Sequence, residues 1–465
     1  MLQTRKMPAV SFAANLTLMR RRNKNVFSAF TVLLLLSNVP ISVSAQDSSK
    51  HISLSEAITA TLNNNKTLQL AKLDESIAAS NYKQTEAIFL PQVGISYTAF
   101  TTDNPLNAFG FKLQQKSITQ SDFNPALLNK PGQTSDFSTK LDVQQPLLNM
   151  EMLYKRRAAS KQTELYLQKT QRTKEYLSFE VEKAYLQLQL AYEAVKVLTE
   201  ALQTTESVYN FTNNQFNQGF IQKSDVLNAH VQKITVESNL SKANNNIQNA
   251  SDYLSLLMGQ PQGIRYTVDI PAELNKSNNS ITPVIGASRS DFEAMQKAIE
   301  ASNLMIQSAK TSRYPKLNAF GSYQFNDNRM FGFGAKSYFA GIQLAWDIFK
   351  GNSTKNSIAT QSLERTKMTE QLAQMKEQSQ LEVNKATRDL QDASFEIKQL
   401  QLSIEQATEA LQILQNRYRQ GLVNTTDVLL ATNQVSQLKF KLAQAAFNAN
   451  VTKAYIQFLT TSTTK

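Results

Sequence analysis

The stretch that decides the fold is Arg417-Tyr-Arg-Gln-Gly-Leu-Val-Asn-Thr-Thr-Asp-Val-Leu429, and it has a counterpart at Gln215-Phe-Asn-Gln-Gly-Phe-Ile-Gln-Lys-Ser-Asp-Val-Leu227. Both stretches contain an aromatic residue, a Gln-Gly step, two apolar residues and an Asp-Val-Leu sequence. Glycine readily adopts the left-handed conformation that ends a helix, and a Ser, Thr or Asp beyond it caps the next helix. Each stretch therefore predicts the turn of a helical hairpin.

Any helical hairpin needs such a turn, so the stronger signal is the duplication. The two turns are related by one offset, because 421 − 219 and 427 − 225 both equal 202. The same offset pairs Val181 with Val383 and Tyr253 with Tyr455. Internal repeats determine the architecture of a chain. The sequence therefore predicts two fused halves of one architecture, that is, an internal two-fold repeat.

The N-terminal region has the pattern of an export signal. A basic cluster at Arg20–Arg22 precedes an apolar run over Val26–Val39, and small residues follow at Val43–Ala45. This order predicts a signal peptide over residues 1–45. The apolar run is shorter than the roughly 20 residues of a membrane-spanning helix. The chain contains no cysteine, so we expect neither a lipid attached through cysteine nor disulfides, and stability must come from packing or oligomerisation.

Charge and composition argue against several functions. The chain has 49 Lys and Arg against 37 Asp and Glu. Six of the basic residues lie in the expected signal peptide, and the remaining excess is spread along the chain, so we expect no nucleic-acid partner. The two histidines, His51 and His230, lie far apart. With no cysteine and no phosphate-binding glycine loop, the sequence predicts no enzymatic activity, no cofactor and no metal site.

Four segments show the alternation of a β-strand. In the first, Val93, Ile95 and Tyr97 alternate with Gly94 and Ser96, which is the period of a strand with two different faces. The predicted strands cover about 92–102, 137–146, 316–327 and 337–349. Residues 103–136 are expected to form a long loop, and residues 147 to about 216 form one helix of roughly 105 Å at ~1.5 Å per residue.

These elements divide the mature chain into two similar halves. We expect a first repeat over 46–258 with its hairpin tip at 217–225, and a second repeat over 291–465 with its tip at 419–427. Residues 259–290 are rich in Asn, Gly, Pro and Ser and predict a linker. The returning hairpin helix is half as long as its partner, so the helix over 67–90 is expected to stack end to end with it.

The strands are long enough to cross a bilayer when tilted. A soluble antiparallel sheet covered by helices is the alternative interpretation, but the export signal favours an outer-membrane barrel. Four strands cannot close a barrel, and an open sheet edge is not tolerated in lipid. Closure would need several chains, so the sequence itself predicts an oligomer.

These features resemble the TolC-type outer-membrane efflux protein family, or outer membrane factors. The resemblance rests on both hairpin turns, on Pro91 and Pro315 before the strands, and on the junction Gln145-Pro-Leu-Leu-Asn149. It covers essentially all of the mature chain. It implies an α+β membrane protein: a homotrimer with a twelve-stranded β-barrel, four strands per protomer, continued by a long periplasmic α-helical barrel.

The resemblance also implies a function and a location. Such proteins are passive exit ducts of tripartite efflux pumps or type I secretion systems. They lie in the outer membrane, contact its lipid, and join a periplasmic adaptor protein and an inner-membrane transporter. The sequence leaves drug efflux and protein secretion open. The competing hypothesis is an exported coiled-coil scaffold or adhesin with a soluble β head.

The resemblance implies three gate residues at the hairpin tips. Asp427 matches an acidic residue at the closed tunnel entrance, where three copies would form an anionic ring that holds cations. Tyr418 and Asp225 match positions whose bonds help to hold the closed state. Simple helix capping is the alternative interpretation for both aspartates.

The tips also depart from the pattern of the family. A basic residue expected near Val423 is absent, and Leu430 replaces a second acidic residue. Whether Arg417 or Arg419 substitutes for the missing basic residue is left open. Trp346 is expected at the membrane boundary. The resemblance further implies adaptor docking by six residues, although their apolar side chains equally suit packing within the tip: Gly219, Phe220, Ile221, Gly421, Leu422 and Val423.

Overall fold

The computed structural model describes residues 49–269, 284–286 and 288–461. These residues belong to one compact unit, Ser48–Lys465, and the expected signal peptide lies outside them. The helices are α1 (Leu54–Asn64), α2 (Lys66–Gln84), α3 (Pro105–Gln114), α4 (Pro125–Asn129), α5 (Met150–Asn217), α6 (Lys223–Met258), α7 (Ser290–Thr311), α8 (Ser353–Arg419) and α9 (Thr425–Thr460). The strands are β1 (Lys50–His51), β2 (Gln92–Thr102), β3 (Thr134–Leu148), β4 (Tyr266–Thr267), β5 (Lys316–Asp327) and β6 (Ala335–Ala345).

Strands β2, β3, β5 and β6 form one antiparallel sheet in that order, so β2 and β6 are its edges. Its two faces differ in chemistry because successive side chains point to opposite sides. One row across the four strands is Ile95, Leu141, Tyr323 and Tyr338, and it belongs to what we call the apolar face. The adjacent row is Ser96, Lys140, Gln324 and Ser337, and it belongs to the polar face.

The bounds of two strands differ from expectation: β3 begins at Thr134 and not at 137, and β6 covers Ala335–Ala345 and not 337–349. Strand β3 does not stop at Pro146 but continues to Leu148, with an irregular register between Pro146 and Leu148. The irregularity accommodates a proline, which has no N–H to donate to the ladder. Strand β6 ends at Ala345, and residues 346–349 continue without strand pairing.

Residues 103–136, which were predicted to form a long loop, contain helical segments. Helix α3 begins after Asn104, whose side-chain oxygen accepts from the Asn107 N–H at 3.2 Å, and Pro105 fills its first position. Proline is favoured there because the first N–H groups of a helix have no intrahelical partner. A 3₁₀ turn over Gln120–Phe123 and the short α4 follow before β3 begins.

The two helical hairpins are α5–α6 and α8–α9. Helix α5 has 68 residues and α8 has 67, whereas α6 and α9 have 36 each. Repeat-equivalent contacts hold both hairpins: the Tyr253 hydroxyl donates to Glu180 at 3.4 Å, and the Tyr455 hydroxyl donates to Glu382 at 3.2 Å. Both members of the second pair lie 202 positions after the first, so the internal repeat extends to individual side-chain bonds.

Helix α2 continues the line of α6 along α5, as expected from the helix lengths. Arg156 on α5 donates to the Tyr82 hydroxyl of α2 at 3.1 Å, while Lys233 on α6 pairs with Glu206 nearer the tip. The junction is made by Asn65, whose Nδ2 donates to the Leu257 carbonyl at 2.8 Å. Its Oδ1 accepts from the first N–H groups of α2. One side chain therefore caps α2 and satisfies the end of α6.

Helices α7 and α9 meet in the corresponding way in the second half. Arg289, 3% exposed, donates to the Leu459 carbonyl at the end of α9 and to Ser379 on α8. The same guanidinium makes a two-point ion pair with Asp291, both bonds being 2.7 Å. A buried charge needs such complete pairing, and here it joins three helices at one point.

The segment expected to be a linker also has structure of its own. Its strand β4 pairs in parallel with β1, and Tyr266 is buried against Val181 and Leu188 of α5. The Tyr185 hydroxyl donates to the Ile52 carbonyl at 3.3 Å. The start of the described chain is thereby fixed to α5. No described helix is both long enough and apolar enough to pass through a bilayer.

Candidate functional site

The two hairpin turns have the same backbone geometry. Gly219 and Gly421 have positive φ angles of 78° and 75°. At the first turn the Phe220 N–H donates to the Gln215 carbonyl at 2.9 Å, and at the second the Leu422 N–H donates to the Arg417 carbonyl at 3.0 Å. These bonds define the Schellman motif, in which glycine takes the left-handed position without strain. The predicted turns are confirmed at both sites.

A small apolar core joins the two tips. We call it the tip cluster, and it lies where α5 and α6 pack against α8 and α9. Its central residue is Val428, which is fully buried among side chains from all four helices. The buried members are Val208, Ala229, Tyr418, Val428 and Leu429. The cluster therefore fixes one hairpin to the other within a single chain.

Tyr418 connects this cluster through a chain of hydroxyl groups. Its Oη lies 2.7 Å from Thr212 Oγ1 on α5 and 2.9 Å from Thr425 Oγ1 at the start of α9. Thr212 donates its own proton to the Val208 carbonyl at 2.6 Å. A hydroxyl has one proton, so Tyr418 donates to Thr212 and Thr425 donates to Tyr418. All three hydroxyls are satisfied in one direction.

The bonds of Tyr418 thus lie within one chain, and neither of them goes to Asp225. The two residues that Tyr418 bonds, Thr212 and Thr425, were not among the sequence candidates. Thr425 carried a signal as a residue of the predicted cap. Thr212 carried none, because its repeat counterpart is Leu414 and its position on α5 becomes informative only when α8 packs against it.

Asp427 and Asp225 occupy equivalent positions in the first turns of α9 and α6. Asp427 is exposed, and its Oδ2 accepts from the Asn424 N–H at 3.3 Å in a capping box. Helix capping is therefore one role of Asp427. Asp225 is half-buried, and no hydrogen bond or ion pair of its carboxylate is found in the described parts of the chain. The two acids therefore differ in their bonds, although both are followed by Val and Leu.

The tip is open to solvent on its outermost surface. Phe220 is 71% exposed and Leu422 is 61% exposed, whereas Val423 packs partly against the tip cluster. Arg417 and Arg419 are exposed, and neither makes an ion pair with a described residue. The candidate docking residues therefore divide into two exposed apolar side chains, two glycines that shape the turns, and partly buried Ile221 and Val423.

Ion pairs hold α5 and α7 together near the start of α5, far from the tips. Glu164 accepts from Lys161 at 2.9 Å and from Lys297 at 3.0 Å. Partial burial acts to raise the pKa of Glu164, but the hydrogen bonds from these two lysines outweigh it and hold the pKa below 4.5.

At the sheet, Trp346 is 60% exposed and its Nε1 donates to the Arg313 carbonyl at 2.8 Å.

Comparison with known proteins places these features in one family. The profile of the family described as outer membrane efflux protein matches residues 57–260 and 285–460, which is more than half of the chain. The cation efflux system protein CusC of Escherichia coli O157:H7 is 25% identical over 275 residues, which cover 56% of this chain and 53% of CusC. The chain thus aligns with only about half the length of that relative.

Two further comparisons span more of the chain. The probable outer membrane lipoprotein SilC of Salmonella typhimurium is 22% identical over 398 residues, or 81% of this chain and 78% of SilC. A crystal structure of CusC superimposes with a TM-score of 0.73 at 17% identity, covering 89% of this chain and 94% of that one. The fold is therefore that of an outer-membrane channel subunit, and the chain belongs to the outer membrane efflux protein family.

Proposed function

We propose that the protein is the outer-membrane exit duct of a tripartite efflux pump. The family consists of channels and not of enzymes, so the proposed function is conduction and not catalysis. The observation that carries the proposal is the sheet, which is apolar on one face and polar on the other. Its edge strands, β2 and β6, pair with no other strand among the described residues. In lipid every backbone group must be paired, and a ring of three such sheets pairs all edges in a twelve-stranded barrel.

The exposure of the apolar face supports this assembly. Ile95, Tyr338, Ile342 and Leu344 are all more exposed than buried in the single chain. A soluble protein rarely leaves such a continuous apolar surface uncovered. In the proposed barrel this face meets outer-membrane lipid and the polar face lines the lumen, which is the alternation that membrane barrels require.

The helices support the same assembly. Helix α8 exposes Leu381 and Phe395, and α6 exposes Val231 and Ile234. Three copies arranged in a ring bring α8 of one protomer beside α6 of the next and cover these side chains. The helical hairpins then continue the barrel as a tunnel on the periplasmic side.

Fractionation of the native membrane tests the duct directly. We expect the protein in the outer membrane, resistant to high salt and released only by detergent, and running as a trimer on gels unless it is heated. Release by salt alone would contradict the proposal, because a scaffold with a soluble β head has no lipid-facing surface to hold it.

At the tip, we propose that three copies of Asp427 form an anionic ring at the tunnel entrance. Its carboxylate is exposed, and a ring of acids attracts cations into a pore. Asp427→Asn keeps an oxygen that accepts from the Asn424 N–H while it removes the charge. In planar bilayers we expect a weaker preference for cations in this variant.

Glu409→Gln is the matched control for that measurement, since it removes the same charge from an exposed position of α8 outside the turn. A larger loss of cation preference in Asp427→Asn assigns the ring to Asp427. Equal cation preference in Asp427→Asn and the unaltered protein would remove Asp427 from the gate. Tyr418 and Asp225 are proposed to hold the closed state, Tyr418 through its bonds to Thr212 and Thr425.

The exposed tip residues are proposed to dock a periplasmic adaptor protein, which links the duct to an inner-membrane transporter. Phe220 and Leu422 are the apolar side chains available for this contact. Phe220→Glu and Leu422→Glu should each weaken binding to the purified adaptor in a pull-down. Gln222→Glu adds the same charge at an exposed polar position of the tip and should bind as before; equal binding by all three variants would exclude docking through these side chains.

A further inference from the structure

The segment between β2 and β3 folds back against one face of the sheet. Phe111 of α3 stacks on Phe100 of β2, with ring centroids 5.8 Å apart. Phe100 lies opposite Asp136 and in the same alternating set as Ser96, so it belongs to the polar face. Ala108, one turn earlier on α3, is buried. Helix α3 therefore lies over the polar face and not beside it.

A buried polar network fixes α3 in this position. Gln115, directly after the helix, donates from Nε2 to Asp136 Oδ1 at 2.9 Å and to the Ser135 carbonyl at 2.8 Å. Asn326 on β5 donates to Asp136 Oδ2 at 2.8 Å. Asp136 is 1% exposed and Asn326 is 2% exposed. We call Gln115, Asp136 and Asn326 the tether.

The tether is a costly arrangement for a surface loop. Among the described residues the Asp136 carboxylate has no basic partner, and two neutral amides satisfy it instead. A carboxylate buried in this way is strongly destabilising if its donors are lost. The loop is therefore held in one position on the polar face rather than free to move away from it.

The position of the tether identifies one end of the sheet. Asp136 lies at the start of β3, whereas α5 begins just after the other end of that strand, at Met150. In the proposed barrel the polar face lines the lumen. Helix α3 then lies inside the barrel mouth farthest from the helical tunnel.

We propose that α3 forms a second constriction of the duct, at its outer mouth, and that it limits the size of what leaves. This proposal rests on the proposed barrel. Three copies project α3 towards the symmetry axis, and each presents Leu106 and Leu113, spaced by two helical turns, away from the sheet. Leu106 is 80% exposed. A second and a third copy of the same helix are the partners that cover these side chains.

The other residues between β2 and β3 pack against α3. Lys112 donates to Asp122 at 2.7 Å, and this hydrogen bond, with those from Thr119, lowers the pKa of Asp122 to about 2. Phe109 meets Phe123 edge to face at 5.8 Å. The segment is thus a packed unit, and the constriction widens only when the hydrogen bonds of the tether break.

The test measures access to the lumen from outside the cell. Because the protein has no cysteine, Ser322→Cys places a single thiol on the polar face. This thiol lies on the side of α3 that faces the helical tunnel. A small charged thiol reagent should reach it, and large polyethylene glycol maleimides should react slowly. Combining Ser322→Cys with Gln115→Ala removes two hydrogen bonds of the tether. The large reagents should then label the thiol about tenfold faster or more.

Two controls accompany this variant. Asn107→Ala changes an exposed amide of α3 outside the tether and should leave the labelling rate unchanged. Replacement of residues 105–114 by a Gly-Ser segment removes the helix, and should admit the large reagents even if Gln115→Ala does not change the loop. Equal rates in the parent, Gln115→Ala and the replacement variant would overturn the constriction.

Failure of the barrel itself would look different. Ile95→Cys places the thiol on the apolar face, which the barrel buries in lipid. If the small charged reagent labels Ile95→Cys as fast as Ser322→Cys, the proposed barrel is wrong whatever α3 does. If only Ser322→Cys reacts and α3 has no effect on reagent size, the barrel stands and the constriction is wrong.

Discussion

Replacing Tyr418 by phenylalanine isolates the hydroxyl chain of the tip cluster. The ring remains, with its packing against Phe211 at 5.0 Å. Thr425 loses its acceptor, and Thr212, which is fully buried, loses its donor. Each net hydrogen bond contributes about 1 kcal/mol, so the tip should lose about 2 kcal/mol of local stability, or roughly a thirtyfold rise in its opening equilibrium.

Hydrogen exchange of the backbone amides in the tip segments of α8 and α9 measures this opening. The matched control is Tyr209→Phe, since Tyr209 packs on the same cluster but its hydroxyl has no hydrogen-bond partner among the described residues. We expect faster exchange at the tips in Tyr418→Phe alone, with unchanged exchange near the sheet. Equal exchange in the two variants would show that the hydroxyl chain does not stabilise the tip.

Three further predictions concern a helix cap, two helix-ending glycines and an ion pair between helices. Asn65→Ala should lower the free energy of unfolding by about 2 kcal/mol, because it removes a cap and a bond to the end of α6; urea denaturation measures it. Gly259→Ala should cost more stability than Gly219→Ala: both have positive φ, but a Cβ at Gly259 would lie 2.7 Å from the Asn64 carbonyl oxygen, whereas Gly219 has open space. Equal melting temperatures would contradict this steric argument. Glu164 has a folded pKa below 4.5, so its contribution is present above about pH 4.5 and is lost as pH falls through the folded pKa. Glu164→Gln should therefore be less stable than the parent at neutral pH and equal to it in acid; a difference that persisted in acid would exclude the carboxylate as its source.

The features that the sequence predicted well are those determined by local chemistry. Gly219 and Gly421 each follow a long helical pattern, and a glycine in the left-handed conformation ends the helix wherever the helices pack. The repeat needed no structural knowledge, since the offset of 202 is visible in the residues. Helical and alternating periods differ enough to separate the long helices from the four main strands.

The features that it missed depend on distant contacts or on short segments. The pairing of β1 with β4 involves two residues on each strand, too few for a period. Helix α3 had a local signal in Asn104 and Pro105, but the surrounding Asn, Pro and Gly residues favoured a loop. The Tyr418 bonds and the buried Asp136 arise only when distant helices and strands meet, which composition does not encode.

We propose that one chain supplies a third of a closed duct. The most direct measurement is the mass of the detergent-extracted protein by light scattering, corrected for bound detergent. We expect three times the mass of the mature chain, because the edges β2 and β6 must pair with neighbouring copies. A stable, folded monomer would contradict it, since four strands with open edges cannot remain in a membrane.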